Sequence, residues 1–579
     1  MRIAVLIKQI PAPEQLRMDG GRVVRDGVAL EVNAYCRRAN AKAVEFAGPD
    51  GEVVVFTMGP PSADEALREM IACGATRGVH LCDPGFAGSD TLATARTLAA
   101  AIDREGPFDL ILAGLNSLDA DTGQVPAELA ELLGMPFAPG IRDIEIAEPT
   151  FTARLETDDG YRSIEGELPV VLSTAERLCD PSKAPPEQRA LVASDRITMM
   201  TAAELGLAAD RIGAAGSPTS VGVVRMLEQS RRPAVAGSAE EAVDMLEALG
   251  AFAAETNELD AVADAVEPGG LDVWCFFTEA GIGSELLGEA AELAREISGT
   301  VTAITGTPVP ARLGAMGADR VLAIPDATEP SEWADALANA AGAAKPWALL
   351  VEGTRCGRVV ASIVAARNSW GLTGDAVGLE VGIDGRLVAW KPAFGGRLEA
   401  PIYSQSPVQM ATLRPGILAR RRPRTAADPA VEMLPSPRRA KLRSVGASHA
   451  VNDVSELQRA EVVVAVGQGM DPDGYPAVEA LQAALGGAAL GSTRKVTDKG
   501  WLPRSTQIGV TGHSVAPRLL VAVASSGRFN HTVGIRNAGV ILAINSNPEA
   551  EIFDQVDVGL VGEWQDILPA LTAELLARA

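Results

Sequence analysis

GSTRKVTDKGW at 491–501, QIGVTGHSVAP at 507–517, ASSGRFNH at 524–531 and VILAINSN at 540–547 are the runs on which the fold turns. The last begins as a continuous apolar stretch, the pattern of a parallel strand covered by helices on both faces. Hydroxyls, glycines, one arginine and one histidine recur where the apolar runs stop. In an open parallel sheet, ligands sit at the carboxyl ends of the strands. Glycines let the backbone approach a pyrophosphate, and hydroxyls and amides orient it. The stretch reads as a site for a dinucleotide or flavin, with Arg494 and His531 placed to face negative charge.

Working outward, residues 1–136 alternate buried-strand runs (Ile3–Ile7, Val53–Thr57, Val79–Leu81, Leu110–Ala113) with helical patterns near Ala39–Phe46, Ala63–Ala72 and Thr91–Ile102. Such a βαβ series builds an open parallel sheet. A second series begins near Leu271 and looks like a copy of the first. GATRGV at 74–79, followed by Cys82-Asp83, matches GADRVL at 317–322, followed by Pro325-Asp326. FDLILAG at 108–114 matches WALLVEG at 347–353. The offset, about 240 residues, is too long for a solenoid repeat. The expectation is an α/β chain with one domain present twice about a pseudo-twofold axis, followed by a third α/β domain.

Residues 150–268 are less regular, with a Pro-rich loop at Asp180–Ala190 and a helix at Ala239–Leu249. Arg420–Arg443 carries eight basic residues against Asp428 and Glu432, with prolines at 423, 429, 435 and 437. It reads as a solvated linker, or else as a docking strip for an acidic partner. The final domain is expected to start near Val451 and to close on a helix at Trp564–Ala577.

At 579 residues the chain is too long for one core. Its 47% hydrophobic and 22% charged content is that of soluble globular domains, and a net charge of −24 argues against nucleic acid as the main partner. The six cysteines (36, 73, 82, 179, 275 and 356) form no C-x-x-C pair, which excludes iron–sulfur and zinc-ribbon readings and suggests reduced thiols in the cytoplasm. No two of the four histidines stand at i, i+4, so no metal site is expected. The N-terminus lacks the apolar run of a signal peptide, and no stretch is long enough for membrane insertion.

VLIKQIP at 5–11, VNAYC at 32–36, MGPP at 58–61, FAGSDTLATA at 86–95 and DADTGQV at 119–125 resemble the beta subunit of electron transfer flavoproteins. TRCGRVVASIVA at 354–365, KPAFGGRLEA at 391–400, QMATLRPG at 409–416 and the opening segment resemble the alpha subunit. The resemblance implies both subunits fused in one chain, beta first, equivalent to an alpha–beta heterodimer. It implies two Rossmann-like domains and a C-terminal FAD-binding domain, bounded at 1–268 (with a C-terminal arm), 269–445 and 446–579. The flavin domain is expected to swing on linkers near Arg420–Ser448 and the beta-like arm.

For FAD, the resemblance implies Arg494 over the isoalloxazine, Thr511 near N5 and His531 near the pyrimidine O2. Gln507 and Asn530 would touch the ring or ribityl chain. Thr493, Gly512 and Ser526 would line the phosphates, and Asn545 and Asp557 would hold the adenosine end. The sequence departs from the family's usual pattern at Val510, His513, Ala524–Ser526 and Arg528-Phe529. In the beta-like half, Asn33, Asp121, Thr122, Gly123, Gln124 and Val125 match the family's second nucleotide site, which takes AMP or a second FAD. Pro126 replaces a usual glycine there. TRCGR at 354–358 lacks the acidic and amide residues, and no nucleotide is expected in the second copy.

The resemblance implies an electron carrier rather than a classical enzyme, with no catalytic residues of its own. FAD would accept electrons from a partner flavin dehydrogenase and pass them one at a time to a quinone-linked or iron–sulfur acceptor. The alternative is an NADH-oxidising, electron-bifurcating flavoprotein with two FADs. The family's partner loop carries an anchoring leucine; here the loop is LCDPSKAPPEQRALVAS (178–194), with Pro186 near the leucine's place, which points to a dedicated partner.

Overall fold

The structure, a computed structural model, describes the chain apart from residues 12–16, 20–21, 25–26, 118, 159, 176–177, 227–230, 232, 253–259, 265–269, 394–397, 419–420, 450–456, 458–459, 510–511, 514, 533, 537 and 579. The chain divides into two compact units. One comprises Met1–Met226 and Asp260–Ser448, the other Leu227–Leu259 and His449–Ala579. The arm after Met226 thus belongs with the C-terminal unit, and the two copies form a single unit rather than two.

The duplication is visible strand by strand. In the first copy the order across the sheet is Ile197–Met200, Arg77–Leu81, Glu52–Met58, Arg2–Leu6, Leu110–Gly114, Val170–Thr174, Phe137–Ala147. In the second it is Val431–Met433, Arg320–Ile324, Thr300–Gly306, Asp272–Phe276, Ala348–Glu352, Gln409–Leu413, Leu372–Ala376. All neighbours in both runs are parallel. Each run carries an irregularity at its last pairing, between Leu172 and Thr174 and between Thr373 and Ala376. The inner strands are buried along nearly their whole length, because helices cover both faces. Equivalent helices, Val125–Leu133 and Arg355–Asn368, pack on each other as a pseudo-twofold relation requires.

The copies also exchange strands. Thr219–Val221, from the first half, pairs with Leu398–Ser404 of the second. Arg443–His449, from the second, extends the first sheet beside Gly160–Glu167. Reciprocal exchange explains why contact joins the two copies into one unit.

Helix ends follow local chemistry. Asp90 caps Thr91–Glu105 by accepting the Ala93 N–H at 3.0 Å, and Thr354 caps Arg355–Asn368 by accepting from Gly357 at 3.0 Å. The first helix runs Ala34–Ala47, five residues longer at its start than its apolar pattern suggests. Arg37 and Arg38 break that pattern, yet both are buried: Arg37 donates to Glu69 at 2.9 Å and Arg38 to the Cys179 carbonyl at 3.1 Å.

The basic stretch is exposed over most of its length, as a linker would be, yet it is tied to the unit at several points. Arg421 pairs with Glu292 at 3.2 Å, and buried Arg424 with Asp319 at 2.7 Å. Arg438 pairs with Asp335, Arg439 with Glu332 and Arg443 with Glu165. Val431–Met433 is itself a sheet strand. Intramolecular carboxylates thus tie the stretch down, while Arg438, Arg439 and Arg443 stay largely exposed. Arg420 lies outside the described residues.

The C-terminal unit is a six-stranded parallel sheet in the order Ala234–Ala236, Val558–Val561, Val540–Asn545, Leu519–Val523, Val462–Val466, Ala489–Ser492. Its edge strand comes from the arm. The arm's helix, Ala239–Ala248, packs on the closing helix Trp564–Arg578.

Candidate functional sites

Both units bring their candidate residues to a topological switch point, where consecutive strands leave in opposite directions and open a crevice at the carboxyl edge. In the C-terminal unit that point lies between Val462–Val466 and Leu519–Val523. Gly467 approaches so closely that an added Cβ would lie 2.2 Å from the Ala524 carbonyl. Ala524 takes a left-handed φ of 52°, which turns Ser525 and exposed Ser526 over the edge. Gly527, at φ 79°, allows the chain to pass Ile552, whose nitrogen would be 2.0 Å from a Cβ. The turn Gly467–Met470 (GQGM) is a site element that the sequence reading missed; its signal was a glycine pair ending an all-apolar strand.

The Gln507–His513 loop is latched to the neighbouring strand by Ile508 N–H donating to Ser492 at 2.9 Å, and closed by His513 N–H donating to Gln507 at 2.7 Å. A Cβ on Gly512 would sit 2.2 Å from the Gln507 carbonyl. Gln507 is buried, its Oε1 accepting from Thr497 at 2.8 Å. Thr493 precedes the short helix Arg494–Asp498, on which Arg494 donates to Asp498 at 3.1 Å. Asn545 ends its strand and braces the edge, donating to the Ser525 carbonyl at 2.8 Å and accepting from Asn547 at 2.9 Å. Thr511 and the Asn530 side chain lie outside the described residues.

His531 is buried with Nδ1 3.1 Å from the Ile508 carbonyl, which fixes the tautomer with the proton on Nδ1. Nε2 has no partner among the described residues. Burial pushes the imidazole below the ordinary histidine range, so it is neutral and presents an acceptor. It therefore meets negative charge only by taking up a proton.

Asp557 is a correction. It lies at the amino end of Val558–Val561, the edge opposite the crevice. There it pairs with Arg231 and accepts the Ile541 N–H at 2.8 Å. At the crevice edge the carboxylate is instead that of exposed Glu563, just after the same strand, where Gly562 N–H donates to Asn545 at 3.0 Å. FAD suits this edge: a buried acceptor unpartnered among the described residues, a cation, hydroxyls and a close-approach glycine turn stand together.

In the first copy the switch point lies between Arg2–Leu6 and Leu110–Gly114. Asn33 donates through Nδ2 to the Asn116 carbonyl at 2.6 Å, joining the start of helix Ala34–Ala47 to the loop after Gly114. Its Oδ1 is buried without a partner among the described residues. Lys8, unassigned from sequence, donates to Asp119 at 2.8 Å and to Ser117 at 3.3 Å. Asp121 (φ 47°) and Gly123 (φ 63°) fold the loop so that Thr122, Gly123, Gln124 and Val125 open the Val125–Leu133 helix.

Gln124 departs from expectation. Its amide is spent inside the protein, accepting from Thr91 at 2.7 Å and donating to the Leu372 carbonyl at 3.4 Å. Asp121 is braced from the second copy: Lys391 donates to its carbonyl at 3.1 Å and Arg414 lies 3.8 Å from its carboxylate.

At the equivalent point of the second copy a buried carboxylate is taken up by neighbouring hydroxyls. By strand pairing, which sets Leu110 beside Ile3 and Ala348 beside Val273, Glu352 stands where Gly114 stands in the first copy, one place off the match FDLILAG/WALLVEG. It accepts from Thr278 N–H at 3.1 Å, Thr278 Oγ1 at 2.6 Å and Thr354 Oγ1 at 3.1 Å. In the first copy a Cβ on Gly114 would lie 2.9 Å from Tyr35 Cβ, so the helix packs where Glu352 sits in the second. Among the described residues no helix is long and apolar enough to cross a membrane, and no His, Cys, Asp or Glu cluster is placed to hold a metal ion.

The family model described as "Electron transfer flavoprotein domain" matches residues 20–198 and 282–438, one match in each copy. That of the "Electron transfer flavoprotein FAD-binding domain" matches 456–536. The chain is 34% identical over 326 residues to "Electron transfer flavoprotein subunit alpha" of Thermoanaerobacterium thermosaccharolyticum, covering 52% of this chain and 97% of that protein. It is 35% identical over 224 residues to "Electron transfer flavoprotein subunit beta" of Clostridium acetobutylicum, covering 38% and 86%. "Caffeyl-CoA reductase-Etf complex subunit CarD" of Acetobacterium woodii is 36% identical over 225 residues, covering 38% and 86%.

Proposed function

The chain belongs to the electron transfer flavoprotein family, with alpha- and beta-like parts fused, and from that premise we propose that it carries electrons from a partner flavin dehydrogenase to a quinone-linked or iron–sulfur acceptor. FAD supplies the redox chemistry when bound. The observation that carries this reading is the crevice at Val466 and Val523, where buried His531 Nε2 lacks a partner among the described residues, in a domain matched as FAD-binding.

Each residue then has a role. Arg494 contributes positive charge beside the ring, and His531 offers Nε2 to a ring N–H or takes a proton when negative charge develops. Gln507 and Gly512 shape the wall of the crevice. Thr493 and Ser526 face the phosphates. Asn545 and Glu563 take the adenosine end, in place of Asp557. The loop of Asp121, Thr122, Gly123, Gln124 and Val125, with Asn33 Oδ1 an acceptor unpartnered among the described residues, holds AMP through backbone N–H groups at the helix start.

The partner docks on the loop at 178–194. Leu191, at the end of the Pro186–Ala190 helix, is 84% exposed. Its base is rigid: Ala184 and Val192 are buried, and Arg189 reaches Glu69 at 2.8 Å. Leu191 rather than Pro186 is therefore the apolar anchor.

The similarity to CarD, named for a caffeyl-CoA reductase–Etf complex, favours one second reading: an NADH-oxidising, bifurcating protein with FAD in both sites. Denaturing the purified protein and counting released nucleotides decides between them. One FAD and one AMP per chain is the expected result. Two FADs, with bleaching by NADH, would establish bifurcation, and a protein that neither contains nor takes up FAD would end both readings.

A further inference from the structure

Behind the Asp121–Val125 loop lies a carboxyl group with no role in the site as described. Glu128, in the first turn of the Val125–Leu133 helix, is 1% exposed. Its Oε1 lies 3.0 Å from Thr91 Oγ1, and the same hydroxyl lies 2.7 Å from Gln124 Oε1. Gln124 Nε2 faces the Leu372 carbonyl, so its Oε1 can only accept. Thr91 has a single proton. Were Glu128 ionised, two acceptors would compete for that proton and one would go unserved. With a proton on Glu128 Oε1 every bond is made: Glu128 donates to Thr91, and Thr91 donates to Gln124. Glu128 Oε2 has no partner among the described residues, a modest cost for a neutral acid and a large one for a buried carboxylate.

The surrounding charges agree. Asp90, at the start of the Thr91–Glu105 helix, adds negative charge and is committed to Ala93 and Thr219. Arg96, on that helix, is the nearby cation; it donates to the Gly216 carbonyl at 3.2 Å, is opposed by Arg211, and forms no ion pair with Glu128 among the described residues. From the helix Arg355–Asn368, Arg367 is taken by Glu131 and Asp335, and Arg358 by Asp375. The Val170–Thr174 strand has no charged residue, and Arg142 on Phe137–Ala147 pairs with Glu156. Burial first, then Asp90, push the Glu128 carboxyl up to about 8.

We propose that Glu128, kept as a neutral acid, is a proton-gated positioning residue for the nucleotide site of the first copy. Its proton frees the Thr91 hydroxyl for Gln124, and Gln124 fixes the helix start whose N–H groups face the ligand. When Glu128 releases its proton to solvent at higher pH, the carboxylate draws Thr91 away and the loop loses its brace. The inference rests on reading residues 119–125 as a nucleotide site.

AMP titrated calorimetrically into the FAD-loaded, full-length protein stripped of its second nucleotide, at about pH 7 and about pH 9.5, tests it. Wild-type affinity should fall roughly fivefold at the higher pH, the worth of one hydrogen bond. Glu128→Gln, whose amide donates to Thr91 as the acid does, should bind AMP equally at both, which also controls for the ligand's own ionisation. Thr91→Val should bind weakly at both. Infrared spectra near pH 7 should show a protonated-carboxyl band that Glu128→Gln lacks. A pH-independent wild type, a Glu128→Gln variant that keeps the wild-type fall, or a missing band overturns the proposal. If neither AMP nor FAD binds there, the nucleotide reading falls and the gating role with it, while the band still reports the protonation of Glu128.

Discussion

Arg231 and Asp557, 326 positions apart, form an ion pair that fastens the arm to the last strand of the C-terminal sheet. The guanidinium also donates to the Arg536 and Ala538 carbonyls, and the carboxylate accepts the Ile541 N–H at 2.8 Å. A detached arm would leave the Val558–Val561 edge unpaired and these partners partly buried.

Asp557→Asn should therefore act on stability and not on the flavin. The loss expected is about 1.5–3 kcal/mol, the range for a hydrogen bond to a charged group. Urea unfolding should show the loss, with FAD content per folded chain unchanged at low temperature. Loss of FAD from a variant whose unfolding curve is unaltered would return Asp557 to the binding site.

His531 should make the C-terminal unit acid-sensitive. Its folded pKa is depressed by burial, so below about pH 6.5 the unfolded chain binds a proton that the folded chain does not. Its contribution is complete above that pH and is lost as the pH falls through the lower folded value. Melting temperatures of wild type and His531→Asn between about pH 5 and pH 7.5 should show a shallower decline in the variant. Parallel curves would mean that the imidazole titrates normally. Glu128 has the opposite sign: its stabilisation is complete below about 4.5 and is lost as the pH rises through about 8.

Leu191→Ala should weaken delivery of electrons without touching the cofactor. Burying a leucine at an interface is worth about 1.5–3 kcal/mol, so KM for the partner dehydrogenase should rise between roughly tenfold and a hundredfold. The absorbance spectrum and FAD content should stay those of wild type. An unchanged KM would move the docking site away from the loop.

Much of the architecture was legible because it is local. Continuous apolar runs such as Val462–Val466 and Ala348–Glu352 mark buried parallel strands, and the pairs GATRGV/GADRVL and FDLILAG/WALLVEG fall on equivalent strands. The candidate FAD loops also gathered at one crevice, because residues following parallel strands share an edge. The errors have the same root. Asp557 precedes a strand by one residue and Glu563 follows it by two, and in one dimension both look like loop acidics beside an apolar run. The ties that hold the exposed Arg421–Arg443 stretch were not legible either, because the carboxylates that meet it are distant in sequence.

Sequence alone determined the strands, their duplication and the edge at which the candidate loop residues gather, since alternation of apolar runs with loop chemistry is written residue by residue. Tertiary structure decided what each polar group is free to do. Gln124 is spent on Thr91 and Leu372, Glu352 on Thr278 and Thr354, and among the described residues His531 Nε2 and Asn33 Oδ1 are left open. A hydrogen bond is a distance between two atoms, and the second atom is often hundreds of residues away.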